Sequence, residues 1–182
     1  MNKLVLALSA ALALGISATA SAQSGTITFN GRVTDTTCDI TFPGSSVPGG
    51  DPTIVLPTVP TTALSTAGST AGKTPVAVVI GSAARPCMHS SVALELNQNR
   101  TADVTAGRLN NVAAADPATN VQVGLLRADD QPIDITSPQS IGRVNLDDDG
   151  IAQVDFAAEY YATAAATAGA VAANVEYTVD YN

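Results

Sequence analysis

Residues 169–182 read GAVAANVEYTVDYN. The odd positions are Gly169, Val171, Ala173, Val175, Tyr177, Val179 and Tyr181, mostly apolar; the even positions are mainly Ala, Asn, Glu, Thr and Asp. A period of two is the mark of a strand with one face against a core and one against water. The alternation continues to the final residue, where chains ordinarily fray. Two readings are open. The stretch is the last strand of a self-contained sheet, or it is an edge that needs a partner.

Working outward, further alternating or β-branched runs precede it. They are Gly150–Tyr161, Ile141–Leu146, Ile133–Thr136, Asn120–Arg127, Ser91–Asn97, Pro75–Gly81, TIVLP at 53–57 and Thr26–Val33. A weak candidate lies at Arg108–Ala114. Asp149-Gly150, between two alternating runs, reads as a hairpin turn. Thr58–Pro75 is built of Thr, Ala, Ser, Gly and Pro with Lys73 its one charge, and reads as a long surface connection. The alanine-rich stretch before residue 169 invites a helix, but its threonines, Gly169 and the following period of two oppose one. Many short strands with polar turns predict an all-β sandwich or barrel. With 3 Phe, 4 Tyr and no Trp, the core must rest on Val, Ile, Leu and Ala.

The N-terminus carries Lys3, an apolar run over Leu4–Ile16, and Ala20-Ser21-Ala22. That is the layout of a secretory signal, with cleavage after Ala22 or, alternatively, Ala20. The run is shorter than the about 20 residues a membrane helix needs. Removing residues 1–22 leaves about 160, one domain by length. The 16 acidic and 8 basic residues give a formal charge of −8. This excess opposes nucleic acid and anionic membranes as partners. Cys38 and Cys87 are the two cysteines, and in an exported chain an even count reads as a disulfide. Closing such a loop is worth roughly 4 kcal/mol in the chain-entropy account.

No catalytic constellation emerges. His89 is the single histidine, without a G-x-S-x-G elbow in the mature chain. One His and two oxidised Cys are too few for zinc. Asn145–Gly150 partly imitates a calcium loop, but the twelfth position is Phe156, not Glu. The chain is therefore expected to be non-enzymatic, with no cofactor and no metal.

Taken together, the signal, the GTITFNGRV segment at 25–33, the TDTTC motif with Cys38, the second cysteine at 87 and the ending FAAEYYATAAATAGAVAANVEYTVDYN resemble the type 1 fimbrial subunits of the chaperone–usher pathway. Gly169, fourteenth from the end, and the penultimate Tyr181 hold that family's terminal positions. The resemblance implies an incomplete immunoglobulin-like β-sandwich that lacks its last strand and is completed in trans. It implies three regions: a signal peptide (1–22), a donor-strand arm (23–33) and a pilin domain (34–182). In the arm, Ile27, Phe29 and Val33 would fill a neighbour's groove, with Gly25 and Gly31 where backbones come close. The terminal strand, Gly169 to Tyr181, would line the groove.

Implied partners are copies of itself or related pilins, a periplasmic chaperone and an outer-membrane usher, with a cell-surface fimbrium as destination and the host receptor unspecified. The arm is shorter than in the best-known members, which fits either a short-armed branch or cleavage after Ala20. The expected function is a structural subunit of an adhesive fimbria. Alternatives are a minor or tip subunit and, from another class, a secreted β-sandwich ligand-binding protein, which would need a pocket of convergent polar groups.

Overall fold

A computed structural model describes residues 38–45, 51–97, 104–136 and 139–182. The signal segment and the arm lie outside the described residues.

Ten strands occur among the described residues. They are β1 (Ile40–Thr41), β2 (Thr70–Ile80), β3 (Ser91–Asn97), β4 (Val104–Thr105), β5 (Arg108–Asn110), β6 (Val121–Arg127), β7 (Pro132–Ile133), β8 (Gln139–Asn145), β9 (Ala152–Ala162) and β10 (Glu176–Tyr181). One sheet runs β1-β2-β9-β6-β5-β4, with β7 also on β6, and the other runs β10-β3-β8. The pairings within both sheets are antiparallel. Val76, Val78 and Ile80 of β2, Val92, Leu94 and Leu96 of β3, and Val123, Leu125 and Val154 share one core between the sheets. This is the sandwich that the strand pattern predicts, with aliphatic side chains as its mass.

β3, β6, β8 and β9 fall where the alternation predicts them. β6 is buried from Val121 through Leu126, because β9 flanks it on one side while β5 and β7 share the other. The outer-face Ala93 is also buried, at 2 % exposure. It sits in register between Asp180 of β10 and Arg143 of β8, whose side chains form an ion pair.

Several expectations are corrected. Residues 53–57 belong to no strand. Pro52 precedes them and Pro57 is their last residue, and neither donates a backbone hydrogen bond. The stretch 58–75 is not wholly a surface connection. Thr61–Leu64 forms a 3-10 turn whose Leu64 is 4 % exposed and packs with Ala118, Val121 and Ala162 as a second small core. From Thr70 the chain already runs as β2 against Tyr160 and Tyr161, with a register shift between Ala71 and Thr74. Long-range pairing thus overrides poor local composition.

The Asp149-Gly150 turn is real but is not a hairpin. Asp147 Oδ1 accepts from the Asp149 and Ile151 amides at 3.1 and 2.8 Å, and Gly150 has φ +68°. The strands on either side lie in different sheets, β8 on β3 and β9 between β2 and β6. The turn is a corner between layers. The segment 169–182 is a laddered strand only over Glu176–Tyr181; residues 171–175 have no ladder of their own.

Cys38 and Cys87 are joined, with Cα atoms 5.1 Å apart. The bond ties the start of β1 to the loop before β3. Arg85 reaches Asp39 at 3.1 Å beside it, and the Gly81 amide donates to the Asp39 carbonyl at 2.8 Å.

Candidate functional site

β1 and β10 are the terminal strands of opposite sheets, and they lie on the same side of the sandwich. Side chains, not a strand ladder, connect them. Phe42 and Tyr177 meet edge to face, ring centroids 5.3 Å apart. Asp51 is near enough to Tyr177 to disfavour its ionised form, and Tyr181 has a backbone hydrogen bond with Cys38.

Along this side runs a strip of half-buried apolar groups. Val171, Ala173, Val175, Tyr177, Val179 and Tyr181 pack against the main core yet none is fully buried, while Ala170 and the even positions 172–182 are exposed. Ile40, Ile54 and Leu56 are half-buried against the same core, and between the last two Val55 is 72 % exposed. On β3, one strand inward, Leu94 and Val92 are 1 % and 0 % exposed. They are the in-register neighbours of Val179 and Tyr181.

Burial raises the hydroxyl pKa of Tyr177 and of Tyr181, the Cys38 backbone opposing it in the second case. Below strongly alkaline pH the strip is therefore uncharged. It offers a long, narrow, apolar surface suited to an extended segment with alternating apolar side chains. It brings together no convergent set of acids, bases and nucleophiles.

The first half of the strip is set differently from the second. Gly169 enters where the backbone of 116–118 is very close: a Cβ there would stand 2.5 Å from the Ala118 nitrogen and 2.6 Å from the Asp116 oxygen. The next residues are fastened to the 111–118 loop. Ala170 donates to Asp116, Ala118 donates to Ala170 at 2.9 Å, and Val112 donates to Ala172 at 2.8 Å. Asn111 adds side-chain bonds from both ends of its amide. The sequence offered no signal for Asn111, a loop asparagine in a weakly patterned stretch.

Other singled-out residues have local roles. His89 stacks on Tyr181, centroids 4.8 Å apart. Its nitrogen and the two cysteine sulfurs lie within 4.8 Å of one another, but the sulfurs are bonded together and supply no thiolate. Tyr160 and Tyr161 point to opposite faces, Tyr160 into the second small core and Tyr161 beneath the Arg108 guanidinium, 3.6 Å from the ring centre. Gly25, Ile27, Phe29, Gly31 and Val33 lie outside the described residues.

Comparison with known proteins gives this surface its context. Residues 27–182 match the family described as Fimbrial protein. The major fimbrial subunit SMF-1 of Stenotrophomonas maltophilia is 43% identical over 169 residues, covering 90% of this chain and 95% of that one. The F17 fimbrial protein of Escherichia coli is 35% identical, covering 92% and 96%. The crystal structure of an antigen and type I fimbria protein of Burkholderia pseudomallei superposes with a TM-score of 0.52 at 25% identity, over 81% of this chain and 91% of that one. With an immunoglobulin-like sandwich and full-length relatives of this kind, the chain belongs to the fimbrial protein family and is a structural fimbrial subunit.

Proposed function

We propose that this subunit polymerises by strand exchange, the arm at residues 23–33 of one copy lying along the apolar strip beside β10 of the next. The observation that carries the reading is the half-burial of Val171, Ala173, Val175, Tyr177, Val179 and Tyr181 beside the buried Val92, Leu94 and Leu96 of β3. An edge of this kind invites pairing with another chain and is hazardous if left bare. The arm supplies the matching pattern, Ile27, Phe29 and Val33, with Gly25 and Gly31 for close approach. Ile27 and Phe29 together would bury roughly 3–6 kcal/mol of apolar transfer energy. Strand addition of this type is a recognised mode in pilus assembly.

Before a neighbour arrives, a periplasmic chaperone covers the strip, and an outer-membrane usher passes the subunit to the cell surface. The fibre so built is adhesive, and residues 1–22 direct export. The test is the double variant Ile27→Asp, Phe29→Asp. It should yield folded, chaperone-bound monomer and no fibre by electron microscopy. Heat-resistant multimers of the purified variant would refute the donor role of the arm.

A further inference from the structure

We propose that Asn111 is a positioning residue for strand exchange, its amide clamping the unladdered half of the strip in the place where it can accept an incoming strand. The inference rests on the strand-exchange reading above and assigns a role to a residue outside both β10 and the arm.

The strip has two halves with different supports. Glu176–Tyr181 is held by six residue pairs with β3, from Glu176–Asn97 to Tyr181–Val92. Val171, Ala173 and Val175 have no such ladder among the described residues. Their path is set where the chain leaves Gly169, and there Asn111 is the hub. Its Nδ2 donates to the Ala118 carbonyl at 2.9 Å and to the Ala170 carbonyl at 2.8 Å. Its Oδ1 accepts from the Ala113 amide at 3.1 Å and from the Ala172 amide at 3.0 Å. One side chain thus makes four backbone hydrogen bonds, using both amide protons and both lone-pair directions of the oxygen. Two of them grip Ala170 and Ala172, the residues that flank Val171.

A strand that adds along this edge must find backbone and side chains at a fixed height over the whole strip, because a slip of one residue turns every side chain to the wrong face. β3 fixes that height for the second half. Asn111 does so for the first. Without the amide, Ala170–Ala172 keeps only its main-chain bonds to the loop, and Val171 and Ala173 are no longer presented in register with Val179 and Tyr181.

The test uses a labelled synthetic peptide of residues 25–33 offered to the purified subunit, with amide hydrogen exchange read in the same samples. Asn111→Ala should take up the peptide about tenfold more slowly than wild type, the loss of two partly exposed hydrogen bonds to the strip being of that order. Exchange should quicken at Ala172 while Thr178 and Asp180 keep their wild-type protection. A general loss of stability would quicken both halves alike. Asn111→Asp keeps one acceptor oxygen but sets an anionic oxygen against the Ala118 and Ala170 carbonyls, so it should be at least as slow as the alanine variant. Asn111→Ser, whose single hydroxyl can replace one of the four bonds, should fall between wild type and alanine, and it decides the matter if the alanine variant does not fold.

Wild-type uptake by Asn111→Ala would overturn the role of Asn111 and leave strand exchange standing. Equal quickening in both halves would also overturn it. If wild type itself takes up no peptide, strand exchange fails, and the positioning role fails with it.

Discussion

β3 and β10 are neighbours in one sheet, carry the same alternation and face the same core, yet they are buried differently. Leu94 is 1 % exposed, while its partner Val179 is half-buried. The difference lies in what flanks each strand, not in the residues. β3 has β10 on one side and β8 on the other; β10 has β3 alone among the described residues. An apolar strand in the middle of a sheet is evidence about the subunit's own core. The same strand at the edge is evidence about a second molecule.

The largest effect should come from placing charge at the two matched positions. Leu94→Asp buries an unpaired carboxylate in the core and should prevent folding altogether, since several kcal/mol of desolvation exceeds what a domain has to spare. Val179→Asp should leave the monomer fold and the disulfide intact but abolish capture by the chaperone and entry into fibres. Co-expression with the chaperone and fractionation of the periplasm distinguishes them. Equal loss of both proteins before any complex forms would mean that β10 is an internal strand like β3.

Reducing the charge change to a truncation sharpens the contrast. Leu94→Ala should cost the monomer about 2–5 kcal/mol, the usual range for a buried leucine. Val179→Ala should cost the isolated monomer about 1 kcal/mol or less, in proportion to its half-burial, and more once a donor strand covers it. Denaturant melts of subunit alone and of subunit with bound arm peptide measure both. Removing the bond between Cys38 and Cys87 by a double Ser substitution should destabilise both states by about 2–5 kcal/mol, chiefly through the unfolded chain, with a smaller added effect at the edge where Cys38 meets Tyr181.

What was legible follows the same division. Period-two patterning located β3, β6, β8 and β9, and it ranked the terminal residues by face, since the odd positions from Val171 onward are more buried than the even ones. Local chemistry also found the turn at Asp147–Gly150. It did not find which strands the turn joins, because pairing is decided by distant residues. Thr70–Thr74 became strand for the same reason: Tyr160, Tyr161 and Ala158 of β9 supply the partner that TAGKT does not announce. Residues 53–57 failed in the other direction, a strand-like string with proline at each end and no ladder. Asn111 left no trace in any pattern, because its four bonds depend on two loops meeting in space.

The smallest effect should appear at alkaline pH, and it isolates the edge without altering packing volume. Tyr177 and Tyr181 have pKa values raised above 10.0, chiefly by burial in the strip. With the folded value above the unfolded one, the native state holds its phenolic protons longer than the unfolded chain does. Stability from this source is complete below the unfolded pKa and is lost as pH rises through the folded value. Melts of the bare subunit should therefore weaken above about pH 10. Tyr177→Phe with Tyr181→Phe should flatten that decline, leaving only what Tyr160, raised by burial elsewhere, contributes. Covering the strip with the arm peptide deepens the burial, so in the wild-type complex the decline should begin at the same pH but run further before it levels off. An alkaline transition that is the same with and without peptide would mean that the tyrosines are already covered, and that β10 is no more open than β3.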